Sequence, residues 1–397
     1  MPDFSEIRIR NFRSLRDVTV KLGPINVLFG PNGSGKSSFL DAIWFVRDCA
    51  IRGVELASAQ RSHGIGVLFD GAEDREPISI NITSTMAEYD LSFGLSSGRI
   101  EPFVGEQLRA TCDKTILINR KMGTDKAEFH KLNSGLQVTL TLREPQKLSL
   151  DRYLAIVAFE QPTPEAEEMD RLLRYVHFYN SRSFNLFSVK QKGSEVSHET
   201  CVWERGDNIW SVLRNLHDRK ERDDRYNTII GFMKECFPTF DGLLLEQTGP
   251  TTVYGNFLEK GRRKPIMASG ASDGHLQMLL LLTSLFSEGP ERYSMMIFDE
   301  PEISLHPLPI SVFAKAVKLA ADKWNKLIFI ATHSPVLVDQ FEPNDLLAVK
   351  TENGETRLQR VSEMEDKSDL IREYSVGSLY MAQAIAPQTP VVEAEQP

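Results

Sequence analysis

Short apolar runs alternate with longer amphipathic stretches along this chain, a pattern that predicts an α/β protein. Residues 5–10, 16–21 and 25–29 read as strands. The last, Ile25-Asn26-Val27-Leu28-Phe29, is apolar at nearly every position, as a strand covered on both faces requires. A glycine-rich turn follows it. From Lys36 to about Arg52, Phe39, Leu40, Ile43, Trp44, Val46 and Ile51 recur at helical spacing and predict an amphipathic helix. Between about 78 and 143 the period changes to two. ISINIT, YDLSFGL, KTILIN and QVTLTL, separated by Gly, Asn and Ser turns, predict an antiparallel β-subdomain. Helical patterns dominate from about 149 to 236, notably at 164–174 and 209–236, with no heptad repeat long enough for a coiled-coil arm. Two strand-like runs, 242–247 and 251–259, precede a polar loop and an apolar helix over 274–287. Buried strands at 293–298 and 326–331 alternate with helices at 307–323 and 335–340.

This pattern divides the chain into an N-terminal half with the glycine-rich loop and β-subdomain (1–150) and a mainly helical inserted lobe (151–264). A C-terminal half (265–385) and a disordered tail (386–397) complete it.

Composition narrows the classes. With 41% hydrophobic and 25% charged residues the chain is an ordinary globular protein. No apolar run approaches the roughly 18 residues of a membrane span, and the N-terminus lacks the apolar core of a secretory signal. A cytoplasmic protein with no membrane partner is expected. Cys49, Cys112, Cys201 and Cys236 form no CxxC pair, which argues for reduced thiols rather than a zinc ribbon or disulfide framework. A net charge of −9 repels a nucleic-acid backbone, so any DNA contact would have to be local.

Three segments carry chemistry. Gly30-Pro31-Asn32-Gly33-Ser34-Gly35-Lys36-Ser37 matches G-x-x-x-x-G-K-[ST] between a predicted strand and helix, with Ser38 next on that helix. In such a loop backbone N–H groups cradle phosphates, Lys36 reaches the β- and γ-phosphates, and the Ser37 hydroxyl holds Mg²⁺. Met295-Met296-Ile297-Phe298-Asp299-Glu300 is an apolar strand ending in two acids, which a buried strand tolerates only where it emerges at its C-terminal end. Asp299 is the candidate second Mg²⁺ ligand, and Glu300 the candidate base for an attacking water. In Ala331-Thr332-His333-Ser334-Pro335, His333 follows a neighbouring strand and is placed to donate to the γ-phosphate.

The order Arg10-Asn11-Phe12-Arg13-Ser14, GPNGSGKS, SDG, FDEPE, SLHP and ATHSP resembles the RecF, SMC and Rad50 branch of ABC-type ATPases, especially compact RecF-like ATPases linked to bacterial and phage defence. The similarity covers about residues 5–65 and 265–350. It implies a P-loop ABC-type ATPase head that binds ATP and Mg²⁺ in a homodimer or higher assembly. Ser272, Asp273 and Gly274 match the signature loop, which in this family meets the γ-phosphate of the opposite subunit. Ser304, Leu305 and His306 fall at the D-loop, with Glu302 expected to orient it. Phe12 and Arg13 fall where the family contacts the base and sugar. Gln60 is the candidate for a Q-loop glutamine. The signature departs from the LSGGQ of transport ATPases. Rad50's hook cysteines are missing, and the 64 residues after His333 are too few for the metal-binding domain that OLD-type nucleases append there.

Lys260-Gly261-Arg262-Arg263-Lys264 reads first as a solvated hairpin tip rather than a DNA contact, because no aromatic residue is interleaved. Phe178 and Tyr179 near Arg182 read as core. The expected function is an ATP-hydrolysing switch that controls a separate effector, such as a nuclease or toxin, in anti-phage defence. The alternatives are a RecF-like DNA-repair ATPase and a nucleotide-gated scaffold with little hydrolysis.

Overall fold

The computed structural model describes residues 4–387 except 62, 63, 65, 74, 75, 132–135, 159–162 and 289–291, so most of the expected tail lies outside the described residues. A six-stranded sheet organises the molecule. Its order is Val176–Asn180, Ser294–Asp299, Lys326–Thr332, Ile25–Phe29, Leu346–Glu352, Glu355–Arg360, with only the last strand antiparallel. Parallel strands need covered faces, and the apolar runs at 25–29, 294–299 and 326–332 supply side chains to both.

Alternate residues of these strands feed two cores. Val27, Phe29, Phe298 and Ile330 pack toward the helices Ile209–His217, Arg225–Cys236, Asp273–Phe286 and Pro307–Lys323. Leu28, Ile297, Phe329 and Ala331 pack toward the helix Lys36–Arg52. That helix lies between the six-stranded sheet and an eight-stranded antiparallel sheet, whose Ile7, Ile9, Ile80 and Tyr89 complete the second core. Each fully buried side chain of this size contributes about 1.5–3 kcal/mol against exposure.

Two features refine the expected layout. The antiparallel segments at 78–141 share one sheet with the N-terminal strands Phe4–Phe12 and Leu15–Lys21, because Phe4–Phe12 pairs with Ile78–Ser84. The strand Val176–Asn180, inside the stretch expected as a helical lobe, pairs with Ser294–Asp299 as an edge of the central sheet. The basic run at 260–264 is an exposed turn beyond the strand Thr252–Glu259, with Arg262 paired to Glu259 at 3.0 Å.

Candidate active site

The strand Ile25–Phe29 ends in the glycine-rich loop, and the helix Lys36–Arg52 starts within it. Gly35 is the N-cap at φ 102°, and a Cβ there would lie 1.9 Å from Thr356 Oγ1. Thr356 braces the loop: its Oγ1 is 3.0 Å from the Ser34 carbonyl oxygen and 2.7 Å from Ser14 Oγ, which is 3.4 Å from Ser38 Oγ. Asn32, Gly33 and Ser37 face solvent, while Pro31 is half-buried. Ser34 is buried, and its Oγ has no partner among the described residues.

Lys36 is buried, and its Nζ donates to the carbonyls of Gly30 and Pro31, both at 2.9 Å. Burial pulls its pKa down to about 8, against the opposing pull of Asp299, Glu300 and Glu302. A partly desolvated ammonium beside a helix N-terminus gains more from an anion than a hydrated one does.

Parallel register brings the other elements alongside. Thr332 pairs with Phe29 and Asp299 with Ala331, so three neighbouring strands end together, about 4.8 Å apart. Asp299 is buried and accepts from Asn180 Nδ2 at 2.9 Å. Burial, reinforced by Glu300, raises its pKa to about 6. The folded state therefore holds this proton more tightly than the unfolded chain, and stability falls as pH rises from about 4 to 6. Asp299→Asn should accordingly raise the stability of the ligand-free protein at pH 7 by up to about 3 kcal/mol. Thermal unfolding at pH 4 and pH 7 checks this: a gain as large at pH 4 as at pH 7 would contradict it.

Glu300 sits at φ 53°, fixed by its N–H on the Ala331 carbonyl at 2.8 Å. Its carboxylate lies between Arg182, whose Nε donates at 2.5 Å, and His333, whose Nε2 is 3.8 Å away. The Arg182 side chain is 70% exposed, so solvent screens that pair and it is readily broken. Burial and then Lys36 hold His333 below the usual histidine range, leaving it neutral at pH 7. Glu302 bridges two loops: its backbone carbonyl accepts the Leu305 N–H of the D-loop at 3.0 Å, and its carboxylate anchors the histidine loop, accepting from Thr332 Oγ1 at 2.7 Å and the His333 N–H at 2.9 Å.

Ser272 caps the helix Asp273–Phe286, with Oγ accepting the His275 N–H at 3.3 Å and lying 2.6 Å from His275 Nδ1. Exposed Asp273 pairs with Lys190 at 2.5 Å. A Cβ on Gly274 would lie 2.8 Å from the Ser304 carbonyl oxygen, so the signature and D-loop segments pack backbone to backbone. Ser304 itself is at φ 64°, and Ser304 and His306 are exposed, while Leu305 packs against the core. Gly274→Ala should cost about 1–3 kcal/mol through this overpacking, readable as a lower urea midpoint.

Two expectations are corrected. The Phe12 ring is fully buried, 5.9 Å from the Phe45 ring, and is a core residue rather than a base contact. Arg13 is exposed at φ 51°, its Nη2 2.7 Å from Asp41 on the first helix. Gln60 sets its amide between Asp48 and Arg52. Asp48 is twelve residues along the helix from Lys36, about 18 Å at 1.5 Å per residue, so Gln60 lies far from the phosphate loop. Pattern reading misses Asn180, Thr356 and the role of Arg182. Their only signal is placement, since Asn180 ends an edge strand of only five residues and Arg182 lies just beyond it.

Among known proteins, the chain is 23% identical over 371 residues to the OLD nuclease of Thermus scotoductus, covering 92% of this chain and 65% of that protein. It is 22% identical over 367 residues to the endonuclease GajA of Bacillus cereus, covering 87% of this chain and 58% of that protein. The chain thus spans less than two thirds of either relative. A solved Smc head, bound to the C-winged helix domain of ScpA, shares the fold with a TM-score of 0.52 at 14% identity, over 90% of this chain and 98% of that one. Among the described residues no helix is long and apolar enough to cross a membrane. Residues 25–339, from the strand before the phosphate loop to the helix after the histidine loop, match one family profile, and the chain belongs to that family, described as AAA domain, putative AbiEii toxin, Type IV TA system.

Proposed function

We propose that this chain binds and hydrolyses ATP in a head-to-tail homodimer whose opening and closing controls a separate effector, a nuclease or toxin, in anti-phage defence. The convergence of Lys36, Asp299, Glu300 and His333 at the C-terminal ends of neighbouring parallel strands carries the ATPase reading. Solvent-facing Ser37 and the buried carboxylate of Asp299 fit a Mg²⁺ ion, which when bound supplies charge neutralisation on the phosphoryl oxygens. Lys36 and the loop N–H groups hold the substrate's phosphates. Glu300, once released from Arg182, orients the attacking water and takes its proton. Neutral His333, held by Glu302, donates to the γ-phosphate.

The dimer reading rests on the signature loop. Ser272 and Asp273 stand exposed at a helix N-terminus, a ready phosphate site for a second subunit. Met267 and Leu308, 58% and 54% exposed, lie near the signature loop and D-loop in sequence and suit a covered interface. Phe187, 69% exposed, lies on the helix Leu186–Gln191 that also bears Lys190, the partner of Asp273. The family description and the two nuclease relatives support the defence role. The relatives' names also favour a second reading, in which this is the ATPase part of a DNA-acting enzyme. ATP-dependent binding of duplex DNA by the purified chain would select that reading.

Steady-state ATP hydrolysis across a range of protein concentrations tests the dimer. A composite two-subunit site gives a rate that rises faster than linearly with concentration. A rate strictly proportional to concentration, with the protein monomeric in ATP, would rule it out.

A further inference from the structure

On the other side of the central sheet's edge strand, three side chains from distant segments meet. His177 Nε2 lies 3.3 Å from Glu288 Oε1, and Cys201 Sγ lies 3.5 Å from His177 Nδ1 and 3.9 Å from Nε2. One ligand atom from each residue lies within 4.8 Å of the other two. We propose that His177, Cys201 and Glu288 form a binding site for a zinc-class divalent cation, with water as the fourth ligand.

The spacing suits that ion. Tetrahedral zinc, with bonds of about 2.3 Å to sulfur and about 2.0 Å to nitrogen and oxygen, sets its ligand atoms roughly 3.3–3.6 Å apart. The nitrogen–oxygen separation already agrees, and the nitrogen–sulfur separation is within a few tenths of an ångström. A thiolate and an imidazole select zinc over Mg²⁺, which takes oxygen ligands, so this site and the Asp299–Ser37 pair serve different metals.

The surroundings prepare the ligands. Glu288 is buried, and its Oε2 accepts from Lys326 Nζ at 3.3 Å, which leaves Oε1 turned toward His177. Lys326 is fixed by a further bond to Ser294 Oγ at 2.7 Å. Such outer contacts orient metal ligands. Arg292 approaches Glu288 Oε1 at 3.7 Å, but its side chain is 51% exposed and its guanidinium lies over the Tyr175 ring, 5.1 Å from the centroid. A cavity of about 430 Å³, with Trp44, Arg47 and Trp203 on its walls, reaches His177 and Cys201 and offers an entry path with room for water. The charge of Arg47 beside that path is offset by Asp48, 3.0 Å away.

The cation would act as a staple. Glu288 follows the helix that begins at the signature loop, and His177 lies three residues before Asn180, about 10 Å along the strand. Metal binding therefore links the far end of the signature helix to the strand whose other end holds Asp299. This inference stands apart from the ATPase reading.

The chelator-treated chain dialysed against Zn²⁺ alone should take up one equivalent, and Co²⁺ alone should produce a thiolate-to-cobalt charge-transfer band in the near ultraviolet. Cys201→Ser and His177→Gln should each weaken zinc binding by at least about 10-fold and remove or perturb that band. Cys112→Ser, at an exposed cysteine, and Asp299→Asn should leave both unchanged. Circular dichroism confirms that each variant is folded; if His177→Gln unfolds, the near-isosteric Cys201→Ser decides alone. Wild-type protein that takes up no zinc, or a band that survives Cys201→Ser, overturns the proposal.

Discussion

Glu300→Gln is expected to slow ATP turnover by roughly 10²–10⁴-fold while nucleotide binding persists, and to hold the chain as an ATP-bound dimer. Glutamine keeps the shape of the side chain but accepts no proton, so it removes proton transfer without disturbing packing. The backbone that presents it is set by the Glu300 N–H bond to Ala331, which is indifferent to the side chain. Losing the Arg182 pair costs little because that arginine is mostly exposed. Single-turnover hydrolysis and gel filtration with ATP separate the two effects. Hydrolysis at the wild-type rate would falsify the assignment of Glu300 as base. Loss of both binding and turnover would instead make it a structural residue.

Lys36→Ala is expected to weaken ATP binding by roughly 10²–10⁴-fold, because each charged hydrogen bond to a phosphate oxygen contributes about 1.5–3 kcal/mol and two are lost. Folding should suffer much less. The buried ammonium carries a desolvation cost, seen in its pKa of about 8, and removing it offsets the loss of donors to the Gly30 and Pro31 carbonyls. Nucleotide titration and thermal unfolding of the same sample read the two quantities. A variant that binds ATP normally would remove the phosphate-loop reading altogether. One that unfolds would show that Lys36 serves the loop rather than a ligand.

Much of the site is legible in the amino-acid sequence because its elements are contiguous. A strand, a glycine-rich turn and a helix in succession require only local spacing, and the predicted helix from Lys36 to Arg52 is the observed one. The acids at 299–300 are legible because two carboxylates after an apolar strand have one physically acceptable location, its C-terminal end. The edge strand Val176–Asn180 is not, because five residues between helical segments carry too little periodicity. The Leu346–Glu352 and Glu355–Arg360 strands, the second of which carries Thr356, are likewise absent from the pattern reading.

Misreadings arise where a residue's neighbours are distant in sequence. Phe12 stands beside Arg13 in the chain, yet one is core and the other surface, because Phe12, at the end of the strand Phe4–Phe12, closes onto Phe45 of the helix Lys36–Arg52. Gln60 follows the first helix at a plausible distance, but the chain folds back along that helix to Asp48 rather than forward to the loop.

By itself, then, the sequence determined the α/β character, the phosphate loop, the acidic strand end and the histidine loop, because each depends on hydrophobic period and short-range spacing. Only the tertiary structure decided that Arg182 meets Glu300, 118 residues away, that Thr356 braces the loop around Ser34, 322 residues away, and that His177, Cys201 and Glu288 share one corner. Those contacts are set by strand order and register, which arise from burying two faces of a shared sheet and leave no periodic trace in any single segment.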